Sequence, residues 1–485
     1  MESVAQILAE IETFCSAHGM AESTFGFRAA NDGKFVSRLR NGRRVTTATL
    51  DKVRGYITAH SEGMADGRET VAETAAATEA GRPDGTAVQA APPKPKPAPK
   101  SQSPKSQAAP VNGQAAFRFY DNRQKYLMFV HTCSEKWVVA DRVGMELAHI
   151  QPTPPALRIF DAGMGDGTVL TRTLRQMHRR FPTVPFYVVG KEISLEDVRL
   201  TLEKMPDRFY EHPATVLVVT NLYYSEAPSL MPRNISAAAS LNWREVALSG
   251  TTSYEFEKQI TDLQDMLNEG WTVHSSEKTG NPLYDRPSVL ILYREDHRIL
   301  LDQLIPRPGQ AKGEYDLIMA SQPFRSRMPV KFKVGKVLKP LAEALAPGGR
   351  MLTVYSHGRD PGMEIIHQIW PDENPFIHDR YQILHEMKQE LGRRQRDLTF
   401  KAYADKRSIF KYLMHTLPSE IGVSIGTSTL LAAWNAATYV AQIEDGRLEA
   451  VMADSAYLQA TREVLKKNGG LWFFDESFVV TRRRA

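Results

Sequence analysis

Residues 157–168 read Leu157-Arg-Ile-Phe-Asp161-Ala-Gly163-Met-Gly165-Asp-Gly167-Thr168. An apolar run ends on Asp161, glycines follow at alternate positions, and a helix-like stretch runs from Val169 to Arg180. Glycine accepts positive φ and the close approach of a ligand. The spacing therefore predicts a strand handing over to a helix across a tight turn that cradles a nucleotide-type ligand. Further landmarks follow in order. A second apolar, β-branched run from Phe186 to Ile193 carries Glu192, 25 residues after Gly167. A third, Thr215 to Val219, leads into Thr220-Asn221-Leu222, and a fourth, Tyr315 to Ala320, leads into Ser321-Gln322-Pro323-Phe324. The turn Leu345-Ala-Pro-Gly-Gly-Arg350 precedes a fifth run, Met351 to Tyr355.

A dinucleotide fold spaces its glycines G-x-G-x-x-G and keeps its acid for the end of the second strand. Here the spacing is G-x-G-x-G, and Asp161 stands two residues before the first glycine. With the ordered landmarks, this resembles motif I and the following strands of the class I S-adenosylmethionine-dependent methyltransferases, over residues 116–485. The resemblance implies an α/β fold: a Rossmann-like, doubly wound sheet with S-adenosyl-L-methionine as cofactor. Asp161, Gly163, Gly165 and Gly167 are the expected cradle, an acid suiting the cationic end of that cofactor. Glu192 is expected to accept both ribose hydroxyls, since a carboxylate offers two oxygens to two donors. Asn221 is expected near the adenine.

Methyl transfer asks a protein mainly to align a lone pair with the methyl group and, where needed, to remove a proton. Ser321-Gln322-Pro323-Phe324 resembles the Asn/Asp/Ser-Pro-Pro-Tyr/Phe motif of methyltransferases acting on amino nitrogens, with Gln322 in place of the first proline. Ser321, Gln322 and Phe324 are accordingly candidate catalytic residues, and His357, just past the fifth run, is a candidate base at neutral pH. Tyr120, Arg123, Lys125 and Tyr126 occupy the position where the family places a helix closing over the cofactor. The methyl acceptor is unidentified. No His/Cys/Asp/Glu spacing suggests a metal site.

The chain has 485 residues, a formal charge of +5 and two cysteines, Cys15 and Cys133. Length predicts more than one domain. Two cysteines make no disulfide framework, which fits a reducing, cytoplasmic setting. The N-terminus lacks the basic region and long apolar stretch of a secretory signal. The most apolar helix-like segment, 425–443, is interrupted by Ser428, Thr429, Asn435 and Gln442, so no membrane span is expected. The modest charge permits nucleic-acid contact without demanding it.

Residues 62–115 form an Ala/Pro/Lys-rich stretch, with seven prolines and four lysines in 91–110, that cannot bury enough to offset its ordering entropy. A disordered linker is expected there. Before it, residues 1–61 show four helix-like segments and resemble the helix-turn-helix domains of phage repressors. That resemblance implies that Lys34, Ser37, Arg38 and Asn41 face a major groove and that Arg40, Arg43 and Arg44 meet phosphates, so DNA or protein contact is expected through this domain. After the linker, 241–305 is expected to be an inserted β-α-β-β subdomain and 360–445 a helical lid. Leu471–Phe474 and Phe478–Thr481 are expected to close the fold as a hairpin turning at Asp475-Glu476-Ser477. The leading expectation is a methyltransferase. The alternative is a cofactor-sensing DNA-binding regulator whose methyltransferase-like body is catalytically inactive.

Overall fold

The computed structural model describes residues 4–18, 20–30, 35–40, 47–61, 123–276, 281–392, 395–416, 418–422 and 424–484. The chain divides into two compact units, Met1–Ser103 and Pro104–Ala485. The expected linker, Tyr120, and the groove and phosphate candidates Lys34, Asn41, Arg43 and Arg44 lie outside the described residues. No helix among the described residues is long and apolar enough to cross a membrane.

In the first unit, helices α1 (Val4–Ala17), α2 (Glu22–Ala30), α3 (Phe35–Arg40) and α4 (Thr47–Ser61) enclose a small core of Ile7, Ile11, Phe14, Phe25, Phe35, Val36, Leu39 and Val53. Phe14, Phe25 and Tyr56 meet edge to face, with ring centres 5.5–5.9 Å apart. One expectation needs correction. Arg40 does not reach out for a phosphate, because its guanidinium pairs with Glu12 at 2.7 Å and Glu22 at 2.6 Å and ties α3 to α1 and α2.

The second unit begins with α5 (Arg123–Thr132) and α6 (Glu135–Leu147), then enters the sheet at β1 (Leu157–Asp161). Helix α7 (Thr168–Arg180) leads to β2 (Phe186–Lys191), and α8 (Leu195–Glu203) leads on to β3 (Thr215–Thr220). The remaining strands are β4 (Asn242–Leu248), β5 (Val273–Ser275), β6 (Pro282–Tyr284), β7 (Ser288–Arg294), β8 (Tyr315–Ser321), β9 (Leu345–Ser356), β10 (Leu398–Lys401), β11 (Ile409–Leu413) and β12 (Trp472–Arg482). The main sheet runs β10-β12-β9-β8-β1-β2-β3-β7-β4, with β11 also paired to β12 and β5-β6 a separate hairpin. β3, β2, β1, β8 and β9 are parallel, and β12 returns antiparallel beside β9.

Strands buried on both faces must be apolar on both. Phe160, Val189, Val218 and Ile318 build one core, with Val334, Leu338 and Leu341 from the β8–β9 crossover. Leu157, Ile159, Val188, Leu217 and Leu317 build the other, with Leu170, Leu174 and Met177 of α7. The crossovers leaving β1 and β8 thus cover opposite faces, and the crevice between these neighbours is where a doubly wound sheet takes its ligand.

Three expectations about the body are corrected. Segment 241–305 does not stand apart as a subdomain: β7 pairs antiparallel with β3 and β4 pairs with β7, so it widens the main sheet. Segment 360–445 is not wholly helical, since β10 and β11 join β12. Asp475-Glu476-Ser477 is no turn. All three residues are buried inside the continuous strand β12, opposite Ser356, Tyr355 and Val354. Their polarity suggested a turn, but Glu476 accepts hydrogen bonds from the Tyr355 hydroxyl at 2.7 Å and the Arg380 amide at 3.0 Å and pairs with the Arg380 guanidinium.

Behind the sheet, Glu146 of α6 is fully buried between Arg142 at 3.0 Å and Arg350 of β9, whose Nε lies 2.8 Å away. Burial works against its charge, but the two guanidinium partners hold its carboxyl below the usual range. Removing the acid strands two buried cations, so Glu146→Gln is expected to cost about 3–5 kcal/mol, read as a lowered chemical-denaturation midpoint at unchanged slope.

Candidate functional site

A cavity of about 650 Å³ opens at the carboxyl ends of the parallel strands. This lies within the range of roughly 300–1,000 Å³ that takes a small-molecule ligand. Gly163, Gly165, Glu192, Ser321, Gln322 and Phe324 line it, so the loops after β1, β2 and β8 converge there. Asp161, Gly167, Asn221 and His357 are not among the lining residues.

The glycine loop explains its own composition. Gly165 and Gly167 have φ of 53° and 76°, a region side chains rarely adopt. A Cβ on Gly165 would lie 2.8 Å from the Tyr126 hydroxyl, and one on Gly167 would lie 2.6 Å from Thr201 Oγ1. Gly167 is therefore needed for the turn and for packing on α8, which corrects its expected place in the cradle. Gly163 differs: a Cβ there would meet nothing within 4 Å, so its open side faces the cavity.

Asp161, 2 % exposed, accepts a bond from the Gly163 amide at 3.3 Å through Oδ1, while its buried Oδ2 has no partner. Burial, with nearby Glu192, pushes its carboxyl up to about 7 despite the Gly163 amide and Lys136. Glu192 is held across the loop, Oε2 accepting from the Gly165 amide at 3.0 Å and Oε1 from the amides of Ile193 and Ser194 at 2.8 and 2.9 Å. The Trp271 indole N–H donates to its backbone carbonyl at 2.9 Å, so β2 delivers this acid in a fixed position.

Helix α5 closes the near side. The Tyr126 hydroxyl donates to Asp166 Oδ1 at 3.2 Å and receives the Asp166 amide at 3.3 Å, while Arg123 pairs with Asp197 at 3.2 Å. Of the other expected gating residues, Lys125 pairs with Asp445. Asp197, beside Glu192, is raised to about 6 by burial and by that neighbouring acid. Burial works to lower the Lys136 ammonium, but Glu135 at 3.2 Å, together with Tyr439 and Asp166, raises it above its ordinary value.

The motif after β8 is locked. Gln322 sits at φ 48°, and its Nε2 donates to Glu135 Oε1 at 3.0 Å, Ser356 Oγ at 3.2 Å and Asp475 Oδ1 at 3.3 Å. It thus braces the site. Ser321 Oγ, by contrast, is buried without a hydrogen-bond partner on the cavity wall. Phe324 packs against Tyr355 at 5.7 Å between ring centres. Tyr224 donates to the Pro323 carbonyl at 3.0 Å and carries Lys191 over its ring at 5.0 Å.

Two further candidates are corrected. Asn221 is fully buried and has no group left for an adenine: its Nδ2 donates to the carbonyls of Gly270 at 3.0 Å and Arg286 at 2.9 Å, and its Oδ1 accepts from the Ser288 amide at 2.8 Å. His357 is not on the cavity wall, and its Nδ1 lies 3.9 Å from Glu476. The sequence reading missed Glu135, Lys136, Tyr224 and Asp197 as wall residues. Only the Glu-Lys pair opening α6 offered a signal, two charged residues beside Ser134 just before the apolar run Trp137–Ala140.

No protein-family model and no curated protein matches this chain. Among solved structures, it is similar to geranyl diphosphate methyltransferase in complex with GPP and sinefungin, at 13% identity over 71% of this chain and 78% of that one, TM-score 0.27. It is also similar to the plantazolicin methyltransferase BpumL with SAH, at 12% identity over 75% and 91%, TM-score 0.27. A third is Haemonchus contortus phosphoethanolamine N-methyltransferase 2 with S-adenosyl-L-methionine, at 12% identity over 77% and 61%, TM-score 0.28. Likenesses of this size carry no argument about binding or reaction, which rest on the site itself.

Asn221→Ala leaves two carbonyls and an amide without their partner and is expected to cost about 1–3 kcal/mol of stability. Binding of S-adenosylhomocysteine, measured by titration calorimetry below the variant's melting range, is expected to stay within about twofold of the parent.

Proposed function

We propose that the second unit is an S-adenosylmethionine-dependent methyltransferase. The observation that carries this reading is the acid-lined end of the cavity. Glu192 at the end of β2 and the open side of Gly163 face one space, and Asp161, with an unpartnered buried oxygen, lies at the foot of that glycine loop, bonded to the Gly163 amide. A cofactor bearing a sulfonium, an ammonium and ribose hydroxyls fits carboxylates of this kind, since buried acids left unpaired are costly and a cation or donor relieves them. When bound, the cofactor supplies an electrophilic methyl group.

The protein's share is binding and orientation. Glu192 would accept the ribose hydroxyls, and Asp161, beneath the Gly163 amide, would counter the cationic end by its charge. Tyr126 and Arg123 on α5 hold the loop from above and exclude water. Ser321 Oγ accepts from or donates to the acceptor's reacting group, while Gln322 keeps the β8 loop against Glu135 and Asp475. Gln322 and His357 are thereby relieved of the roles their positions suggested: the first positions the wall, and the second lies off it.

Titration calorimetry of the whole chain with S-adenosylmethionine is expected to give micromolar binding. It is expected to weaken about tenfold or more in Asp161→Asn and in Glu192→Gln, since each removes a charge-assisted bond. Asp161 adds a pH signature. Its folded pKa of about 7 lies above the ordinary value, so the free protein holds this proton below neutrality. A cationic ligand needs the carboxylate, so affinity is expected to rise as pH climbs through about 7 and then level off. The same shift makes the native state the better proton binder between the two pKa values, so this group's contribution to stability falls as pH rises across that window. Absent binding, or binding indifferent to both substitutions and to pH, contradicts the reading.

We further propose that the first unit is a helix-turn-helix-type contact module. Helix α3 supports this: it buries Phe35, Val36 and Leu39 and leaves Ser37 and Arg38 exposed. Fluorescence anisotropy of the whole chain with labelled duplex DNA is expected to show binding that weakens between about 50 and about 200 mM salt and falls further in Arg38→Ala. Absent DNA binding at low salt contradicts it and leaves protein docking as the module's use.

A further inference from the structure

The carboxylates on the cavity wall are confined to one side, where Arg123, Lys136 and Lys191 also line it. Its carboxylates, Glu135, Glu192 and Asp197, belong to α6 and to the junction of β2 with α8. The opposite end, built by the loop after β8 and the β5-β6 hairpin, is lined by Phe324, Arg325, Met328, Phe332, Lys336 and Leu283. No acidic side chain lines that end among the described residues.

Several features make this end a built surface. The Arg325 guanidinium is half-buried and donates to Asn281 Oδ1 at 3.0 Å, which fixes it against the hairpin. Lys336 projects from a widened π-helical turn, Lys333–Leu338, a distortion that recurs at functional sites. Behind Phe324, the fully buried Lys333 ammonium lies 5.0 Å from the ring centre and donates to the Ser326 carbonyl at 2.7 Å. Burial lowers this ammonium to about 8. The loop is latched to the far wall as well: the Ser326 amide donates to Gln442 Oε1 at 3.0 Å, and Arg327 donates to the carbonyls of Ala441 and Gln442 at 3.1 and 2.9 Å. Two acids near this end are already engaged: Glu226 accepts from the Tyr284 hydroxyl at 3.1 Å and the Arg233 amide at 3.0 Å, and Glu373 pairs with Arg327 and Arg447.

Resting on the methyltransferase reading, we infer that the acceptor is a small molecule with an apolar, planar body and an anionic group, a carboxylate or a phosphate. Phe324, Phe332, Met328 and Leu283 take the body, and Arg325 and Lys336 take the anion. An anion at this end gains from Arg325 and Lys336, whereas a cationic acceptor meets like charges. The sorting also keeps the two ligands apart. The cationic end of the cofactor is drawn to the β1-β2 side, and the anionic end of the acceptor is drawn to the β8 side. The acceptor's reacting atom then falls between them, near Ser321.

The test uses the whole chain saturated with S-adenosylhomocysteine and four probes of one shape: benzoate, phenyl phosphate, benzyl alcohol and benzylamine, each titrated by ligand-observed NMR. At least one anionic probe is expected to bind about tenfold or more tighter than benzyl alcohol, with benzylamine weakest. Comparing benzoate with phenyl phosphate tells which anion the site prefers. In the double variant Arg325→Gln/Lys336→Met the anionic preference is expected to fall to within about threefold, with S-adenosylhomocysteine affinity and melting temperature unchanged. Equal binding of the neutral probe, tighter binding of benzylamine, or a preference that survives the double variant overturns the proposal. If S-adenosylhomocysteine itself fails to bind, the methyltransferase reading falls. The same four probes titrated alone then still decide whether this end selects anions.

Discussion

Everything at the site depends on how β1 ends. This strand lies between β2 and β8, and its own crossover covers one face of the sheet while the crossover leaving β8 covers the other. The chain must leave β1 and turn into α7 within a few residues. That space is already taken by the Tyr126 hydroxyl, Thr201 and the Met164 side chain, the last packed where a Cβ on Gly190 would lie 2.5 Å from its sulfur. Only a loop with Gly165 and Gly167 at positive φ fits. The turn leaves Gly163 open to the cavity with Asp161 buried beneath it, while Glu192 at the end of β2 lines the same space.

The second organising feature is the use of buried polar and charged groups as cross-links between elements. Glu146 links α6 to β9, and Glu476 links β12 to β9 and to the helix Arg380–Leu391. Gln322 joins α6, β9 and β12 to the loop after β8. Such groups are costly to bury and tolerable only when fully partnered, so each fixes several elements at once. The β8 loop is therefore held from behind by Gln322 and from the far side by Gln442, and its lining residues are presented on a rigid edge.

How much of this the sequence disclosed follows from where the determining partners lie. The five parallel strands were legible because each is a short apolar run, and the glycine loop because its constraint is local to residues 161–168. Glu192 was legible because it closes such a run. Asn221 was misread because the groups that consume its amide lie 49, 65 and 67 residues further on. Asp475-Glu476-Ser477 resembled a turn because polar residues in a row usually are one, and nothing nearby announced Arg380, Tyr355 or Gln322 as partners. The widening of the sheet by β4 and β7 was hidden for a related reason. The strands themselves were visible in the pattern, but pairing with β3 is a long-range event.

The claim at the centre is that the ends of β1 and β2 form the cofactor cradle. Backbone hydrogen–deuterium exchange, with and without S-adenosylmethionine, tests it most directly. The account predicts slowed exchange confined to amides of the β1–α7 loop around Gly163 and Gly165, the β2 end at Ile193 and Ser194, and helix α5 above them, with α1–α4 unchanged. Unaltered exchange in these segments, or protection appearing elsewhere in the chain, would contradict it.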